Sequence, residues 1–330
     1  MADELTQRAI PVLAGHADYL IATAARAPSV HNTQPWRFRV TANAVELYAD
    51  PRRKLRTDPL GREMLISCGA ALFGLRLGIR SLGYQPVVRL FPDPAQLRLL
   101  ARVRLGQAAS MTATERDMLD ALPHRHTHRG AFSPGPLPPG LVPGLQHDAV
   151  AERAALALIE RPHDYQLLTG IVAAAGRRMD LDPVARDEVM RWSRGITDTA
   201  PDGIPAHAFP ARRKPQPGRL PQRDFDLGRE LGTLPDGDPA PPALTAVLLT
   251  SADGRADWLR AGQALHRLLA HAASRWVFAS LYTQPLEAAS IRELVRKRLA
   301  LPGAPQLLLQ FGPASTTRAT ARRPPADLAE

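Results

Sequence analysis

The sequence is short of cysteine, lysine and aromatic residues, and each shortage closes off a class of protein. One cysteine, Cys68, in 330 residues permits no intrachain disulfide. That excludes a disulfide-stapled scaffold and makes a reducing, cytoplasmic setting the expectation. Only Lys54, Lys214 and Lys297 are lysines among 42 basic residues; the other 39 are arginines, in a chain rich in alanine and proline. Such usage is what a GC-rich coding sequence gives, so the formal charge of +10 does not by itself call for a polyanion. Aromatic residues make up 5%, with no RNP-type strand motif, zinc-finger spacing or basic leucine zipper, and no nucleic-acid partner is expected. No apolar run approaches the roughly 18–20 residues that cross a bilayer, so no membrane partner is expected. The opening Met1-Ala2-Asp3-Glu4 is acidic and lacks the pattern of a secretory signal. A glycine fingerprint for a dinucleotide and a P-loop are also missing.

What is present reads as a mixture of long alanine-rich helices and short strands. Leu5, Ile10, Leu13, Tyr19 and Leu20 recur at helical spacing from about Asp3 to Arg26, and Ala27-Pro28 closes that helix. Trp36, Phe38 and Val40 alternate with Arg37 and Arg39, and Val45, Leu47 and Tyr48 read as the return strand of a hairpin. A helix from about Asp58 to Leu82 carries Gly69, Ala70, Ala71, Gly74 and Gly78, a small-residue surface suited to close helix packing, with Gly83 as C-cap. Cys68 lies among these small residues and reads as a buried structural thiol. Strands are expected at Val87–Leu90, Val103–Leu105, Ala155–Glu160, Leu244–Thr250 and Leu307–Leu309. Helices are expected from about His163 to Ser193, Asp257 to Leu281 and Ala288 to Ala300. A proline-rich passage, Ser133 to Pro143, divides the chain. The stretch from about Gly195 to Pro242, rich in proline, reads as a lid over a site. Strands and helices do not alternate regularly, which argues for α+β rather than a doubly wound sheet.

Three constellations carry possible chemistry. The first is Ala27-Pro28-Ser29-Val30-His31-Asn32-Thr33-Gln34-Pro35-Trp36, a proline-stiffened loop between helix and strand. Ser29, Asn32 and Gln34 offer both donors and acceptors, as an alternating heterocycle edge such as a flavin's requires. A well-capped loop with an Asx turn is the equal alternative. The second is Arg125-His126-Thr127-His128-Arg129-Gly130. In extended backbone Arg125, Thr127 and Arg129 share one face and His124, His126 and His128 the other. The arginine face suits a phosphate; the histidine face suits a transition metal, although no carboxylate or fourth ligand lies nearby in sequence. The third is the basic end Arg322-Arg323, either a solvated tail or a second phosphate contact.

The run Pro28-Ser29-x-x-Asn32-x-Gln34-Pro35-Trp36 resembles the flavin loop of the nitroreductase family. His31 before Asn32 and Arg37-Phe38 after Trp36 resemble the Acg-type subfamily. In the same order follow Arg125–Gly130, Asp202-Gly203-Ile204-Pro205, Gln284-Pro285-Leu286-Glu287, Pro305–Leu309 and Ala319–Pro324, so the resemblance spans nearly the whole chain. It implies an α+β nitroreductase-like fold with two such halves in one chain mimicking the family homodimer: residues 1–150, then residues 151–330 carrying the lid at about 195–242. The implied state is a monomeric pseudo-dimer or weak homodimer with one FMN. It implies an FMN-binding oxidoreductase that moves electrons from NAD(P)H to a small-molecule acceptor such as a nitro compound or quinone. The alternative is a protein that sequesters FMN or senses redox state under a closed lid. The implied cofactor residues are Pro28, Ser29, Val30, Asn32 and Gln34; Arg125, His126, Thr127 and Arg129; Pro285, Leu286 and Glu287 near flavin N5; and Arg322 and Arg323 at the phosphate. No side chain is implied as catalytic, because the flavin carries the chemistry. One departure is Arg275-Trp276-Val277 where the family often has Gly-Leu, and Trp276 is expected beside the flavin or the lid.

Overall fold

The structure, a computed structural model, describes residues 12–209, 219–221, 223–231, 241–314 and 318–330. The first expected helix begins outside these residues; within them α1 spans Ala17–Ala25 and buries Leu20, Ile21, Ala24 and Ala25. The expected hairpin follows as β1 (Trp36–Val40) and β2 (Val45–Ala49), antiparallel with Trp36 opposite Ala49. The small-residue helix α2 covers Arg62–Ser81 and stops at Gly83, whose φ of 85° is the left-handed cap conformation. β3 (Tyr84–Leu90) and β4 (Leu99–Ala108) complete an antiparallel sheet of order β1-β2-β4-β3.

Two helices that periodicity had not disclosed come next. α3 (Ala113–Ala121) starts with a capping box between Thr112 and Glu115, and α4 (Leu141–Ala151) occupies the end of the proline-rich divide. After β5 (Ala154–Leu158), the single helix expected to Ser193 is two, α5 (Pro162–Leu181) and α6 (Pro183–Trp192). Pro183 has no amide hydrogen to continue α5. Asp182 leaves helical geometry at φ −86°, ψ 112° and caps α6 by accepting from the Val184 and Ala185 amides. Two residue pairs, β6 (Ser193–Arg194) and β7 (Ile204–Pro205), align in parallel. Then come β8 (Leu244–Thr250), α7 (Arg255–Ser274), β9 (Val277–Tyr282), the single turn α8 (Gln284–Glu287), α9 (Ala289–Arg298), β10 (Ala304–Pro313) and the last turn α10 (Pro325–Leu328).

The helix expected to reach Leu281 therefore ends at Ser274. Trp276 turns the chain at φ 54°, and β9 takes the residues beyond. Val277, Phe278, Ala279, Ser280 and Tyr282 are all buried, so the strand has no polar alternation to distinguish it from a buried helix. β5, β8, β10 and β9 form a second antiparallel sheet in that order. The two sheets thus repeat one plan: two strands, a helix of 20 residues, two strands, with the fourth strand placed inside the third.

The two long helices cross at the centre. A Cβ on Gly69 would sit 2.2 Å from the Leu259 carbonyl oxygen, and one on Gly262 would sit 1.9 Å from that of Ile66. Only glycine allows backbones that close. By length and mean composition α2 is apolar enough to cross a membrane, although Arg62, Glu63, Arg76 and Arg80 keep its uncharged run to residues 64–75. Here 78% of its most apolar window is buried inside the fold, as expected of a core helix. Cys68, on its inner side, is buried and donates to the Pro35 carbonyl at 3.2 Å; burial pushes its thiol upward.

The segment that follows each sheet in the chain reaches across to the other sheet. Thr127 bridges in parallel to Ala279 of β9, and Ala329 does the same to Phe38 of β1. The Glu330 amide donates to the Phe38 carbonyl at 2.7 Å. These exchanges bring the basic motifs of mid-chain and C-terminus toward the loop that precedes β1.

Candidate functional site

The loop between α1 and β1 is held in an unusual backbone. His31, Asn32 and Gln34 have φ of 51°, 54° and 49°, left-handed values that cost side-chain-bearing residues free energy and persist only where surroundings enforce them. Ser29 Oγ accepts from the Gln34 amide at 2.9 Å and closes the loop internally. Asn32 Nδ2 donates to the Gly203 and Ala321 carbonyls, both at 3.1 Å, and its Oδ1 accepts from Arg322 at 3.1 Å. Gln34 Nε2 donates to the Pro201 carbonyl at 2.8 Å, while its Oε1 accepts from the Arg323 amide at 2.9 Å. Both side chains are buried and tie three distant segments together, the loop, residues 201–203 and residues 321–323.

A cavity of about 850 Å³, its open mouth included, lies between the two sheet-and-helix sets. The first set contributes Pro28, Ser29, Val30 and His31 from the loop and Glu63, Ile66 and Ser67 from α2; the second contributes Leu265 of α7, Leu307 of β10 and residues 280–284. Thr127, His128 and Arg129 form another part of the wall, and Arg223 and Phe225 complete it. Arg223 donates to His31 Nε2 and to Glu287 Oε1, each at 2.7 Å, so it links opposite sides of the cavity. The Phe225 ring lies edge-on to His31 at 5.8 Å, with the Arg129 guanidinium over it at 5.6 Å. Burial, followed by the charges of Arg223 and Arg129, pushes His31 well below the ordinary histidine value, so its ring is neutral and accepts the Arg223 hydrogen bond.

Next to this cavity is a cluster of cations that lack anions. Arg125 is 2% exposed. It donates from Nη2 to the Arg26 carbonyl at 2.8 Å, and among the described residues its Nε and Nη1 have no partner. The Nε of Arg322, the Nδ1 of His126 and the Nε2 of His266 on α7 are likewise buried and unpartnered. Burial, then the charges of Arg26 and Arg129, brings Arg125 down to about 10; burial alone does the same for Arg129. Burial and the charges of Arg125, Arg26 and Arg129 push Arg322 well down from its ordinary value. His126 and His266 are each lowered to about 3, first by burial and then by Arg125. Among the described residues no carboxylate pairs with Arg125, Arg129 or Arg322. A buried cation without a counter-charge is costly, and a doubly charged oxyanion with several acceptor oxygens is the chemical complement of this group.

The structure sorts the residues expected from sequence. Pro28, Ser29, Val30, Thr127 and Arg129 line the cavity. Arg125, His126 and Arg322 meet in the cation cluster. Asn32 and Gln34 are struts behind the loop and are not in the cavity wall. Arg323 belongs elsewhere: its charged neighbours are Arg53, Arg37, Asp327 and Asp50. Pro285 and Leu286 are buried. The wall is instead made by Thr283 and Gln284 just before them, and Glu287 meets it through Arg223. The histidine face does not converge: His124 stacks on Trp276 at 5.1 Å and His128 on Phe132 at 4.7 Å. Among the described residues no group of three or more His, Cys, Asp or Glu is placed to hold a metal ion. Trp276 is 59% exposed and outside the cavity wall, contrary to its expected place. Sequence reading missed Glu63, Ser67, Arg223, Phe225 and His266. For Glu63 a signal existed, the only acid of a helix whose middle, residues 64–75, carries no charge.

No family model matches the chain. Over 303 residues it is 36% identical to a Mycobacterium tuberculosis (strain H37Rv) protein described as a "putative NAD(P)H nitroreductase", covering 89% of this chain and 83% of the relative. A second such protein from the same strain, named acg, is 28% identical over 311 residues, 91% of either chain. Among solved structures, a nitroreductase with bound FMN from Bacteroides fragilis aligns with a TM-score of 0.38 at 9% identity, over 62% of this chain and 94% of that one.

Proposed function

The chain belongs to the nitroreductase family, and on that premise we propose that it is an FMN-dependent oxidoreductase that takes electrons from NAD(P)H and delivers them to a nitro compound, a quinone or a similar small acceptor. The observation that carries this reading is the set of buried, unpartnered guanidinium N–H groups of Arg125 and Arg322 beside a cavity that Arg129 also lines. A flavin mononucleotide ends in a phosphate that such a set would hold, so the residues fit the group. In this reading Arg125, Arg129 and Arg322 bind the phosphate and neutral His126 donates to it. The Pro28–Val30 loop and Thr127 hold the remainder. FMN, when bound, supplies reversible two-electron chemistry. The protein's part is to fix its orientation and limit water. Asn32 and Gln34 place the loop and Arg322 relative to each other. In this reading the halves divide at about 1–150 and 151–330, and the lid is the segment 195–242, of which 210–218, 222 and 232–240 lie outside the described residues, with Arg223 and Phe225 lining the cavity.

The test is the visible spectrum of the purified protein and the mass of any released chromophore. Flavin bands with about one FMN per chain, bleached by NADH or NADPH and restored by a quinone, are the expected result. A colourless protein that does not take up added FMN would overturn the reading. A second reading, FMN storage or redox sensing with little turnover, is favoured by one observation, the Arg223 link across the cavity from His31 to Glu287. It expects bound FMN that bleaches slowly and is not restored by acceptors unless Arg223 is replaced.

A further inference from the structure

Reduction inside a covered cavity needs protons as well as electrons, and few groups in this wall can supply one. The ionisable side chains lining it are His31, Glu63, His128, Arg129, Arg223 and Tyr282. His31 is neutral and its Nε2 accepts from Arg223. His128 is held low by burial, and its Nε2 lies 3.0 Å from the Ala131 carbonyl. Tyr282 donates to Gln310 at 2.9 Å. The two arginines are cations that do not release protons near neutrality.

Glu63 differs from all of these. It stands in the first turn of α2 beside Arg62, 4% exposed, at the head of a helix whose buried residues beyond Ser67 are all small or apolar. Arg62 holds its Oε1, and Arg62 is itself anchored to the Gln306 carbonyl at 2.6 Å and side chain at 2.8 Å. Its Oε2 is buried and has no partner among the described residues. One oxygen is therefore fixed and the other left over, an arrangement in which the free oxygen can carry a proton while the group stays in place. The charged groups facing it are Asp58, Arg62, Glu287 and Arg223. Burial outweighs the opposing pull of Arg62, and Glu287 and Asp58 add to the upward push, so the carboxyl rises to about 7.

We propose that Glu63 is the proton donor to the electron acceptor in this cavity, a role that rests on the flavin reading above. For a quinone, two electrons and two protons make the hydroquinone. A hydride equivalent derived from NAD(P)H accounts for both electrons and one proton. The second proton comes from Glu63: its O–H bond breaks as the O–H bond of the quinone oxygen forms. The resulting carboxylate is reprotonated from bulk water before the next turnover. Acceptors that take electrons without protons do not need this step.

The experiment compares wild type with Glu63→Gln, reduced anaerobically with NADPH and mixed in single turnover with 1,4-benzoquinone or with ferricyanide, which takes electrons but no proton. The expected result is a loss of about 100-fold with benzoquinone, in the range of general-acid catalysis, and less than twofold with ferricyanide. In wild type the benzoquinone rate falls about tenfold per pH unit above 7, since the donor is competent only below its pKa, while the ferricyanide rate stays flat. If Glu63→Gln does not fold, these two pH profiles alone decide the matter. A readout independent of turnover is the ¹³C carboxyl shift of Glu63 in flavin-free protein, expected to titrate near 7. An unchanged benzoquinone rate in Glu63→Gln, parallel pH profiles for the two acceptors, or titration at the ordinary glutamate value overturns the proposal. Failure of wild type to bind FMN at all overturns the flavin reading and this inference together, whereas normal FMN uptake with an unaffected Glu63→Gln overturns the inference alone.

Discussion

The two sheet-and-helix sets of this molecule share strand order, strand polarity and a central 20-residue helix, yet their connections are unequal. In the first set residues 26–35 separate α1 from β1; in the second only Glu152 and Arg153 separate α4 from β5. Between first and second strands the first set has residues 41–44 and the second has residues 159–243. The long connection of the first set supplies the left-handed loop of the cavity wall. The long connection of the second supplies Arg223 and Phe225 across it. The charges differ in the same way. At the α4 side, Arg267 pairs with Asp148 at 2.8 Å and with Glu152 at 3.2 Å, and Arg76 pairs with Glu152 at 2.6 Å. At the loop side, Arg125 and Arg322 have no carboxylate partner among the described residues. A repeated scaffold thus provides rigidity twice, while the departures from repetition make one site.

The sharpest way to break this comparison is to treat an unpaired arginine like a paired one. Arg125→Leu is expected to weaken FMN binding by about two to three orders of magnitude, the loss of charge-assisted hydrogen bonds worth about 1.5–3 kcal/mol each. The same change is expected to raise the melting temperature of flavin-free protein, because a buried uncompensated charge is removed. Titration calorimetry and thermal melting check the two halves of this statement; a fall in both would mean that Arg125 is structural. On the paired side, Arg267→Leu is expected to lower the melting temperature, since it removes the guanidinium from Asp148, which keeps His271, and from Glu152, which keeps Arg76.

The shared scaffold is tested at the helix crossing. Gly69→Ala and Gly262→Ala each place a methyl group against carbonyl backbone and are expected to cost about 1–3 kcal/mol or more. Denaturant midpoints should shift by similar amounts in both, because the crossing is the part of the repeat that is symmetric. A smaller effect is expected at the cover. Arg223→Ala removes two hydrogen bonds, one to a carboxylate, at a cost of about 1–3 kcal/mol in local ordering. It should increase reoxidation by a bulky quinone while leaving FMN affinity within about threefold, given that no phosphate contact is lost. Smallest of all, Cys68→Ala is expected to change neither flavin binding nor turnover, and the wild-type thiol should resist alkylation until the protein unfolds.

Much of the framework was legible in the residues. The β1–β2 hairpin shows strand alternation, α2 shows its small residues and its terminal glycine, and the loop motif together with the ordered fragments carries the resemblance to the family. Other features left no trace in local pattern. β9 is buried along nearly its whole length, so its periodicity was silent, and α5 and α6 merged because the composition runs on through Pro183. The sequence offers Asn32 and Gln34 as donors and acceptors for a flavin edge, and in the structure both side chains are taken up by backbone. What they bind, the backbone at 201–203 and 321–323, depends on segments far away along the chain.

The sequence by itself determined the elements that obey short-range rules, and the residue types available for chemistry. Cap preference, proline geometry and hydrophobic period act within a few residues and can be read there. Tertiary structure alone decided which cations would be left without anions. Arg125 and Arg322 lie nearly 200 positions apart and meet because the segment following each sheet crosses to the other. It also decided that Glu63, one acid among many in the sequence, would be buried with one oxygen held and the other free. Whether a charge is paired or orphaned depends on what the fold brings within a few ångströms of it, and on how much water the fold takes away, and neither quantity is written along the chain.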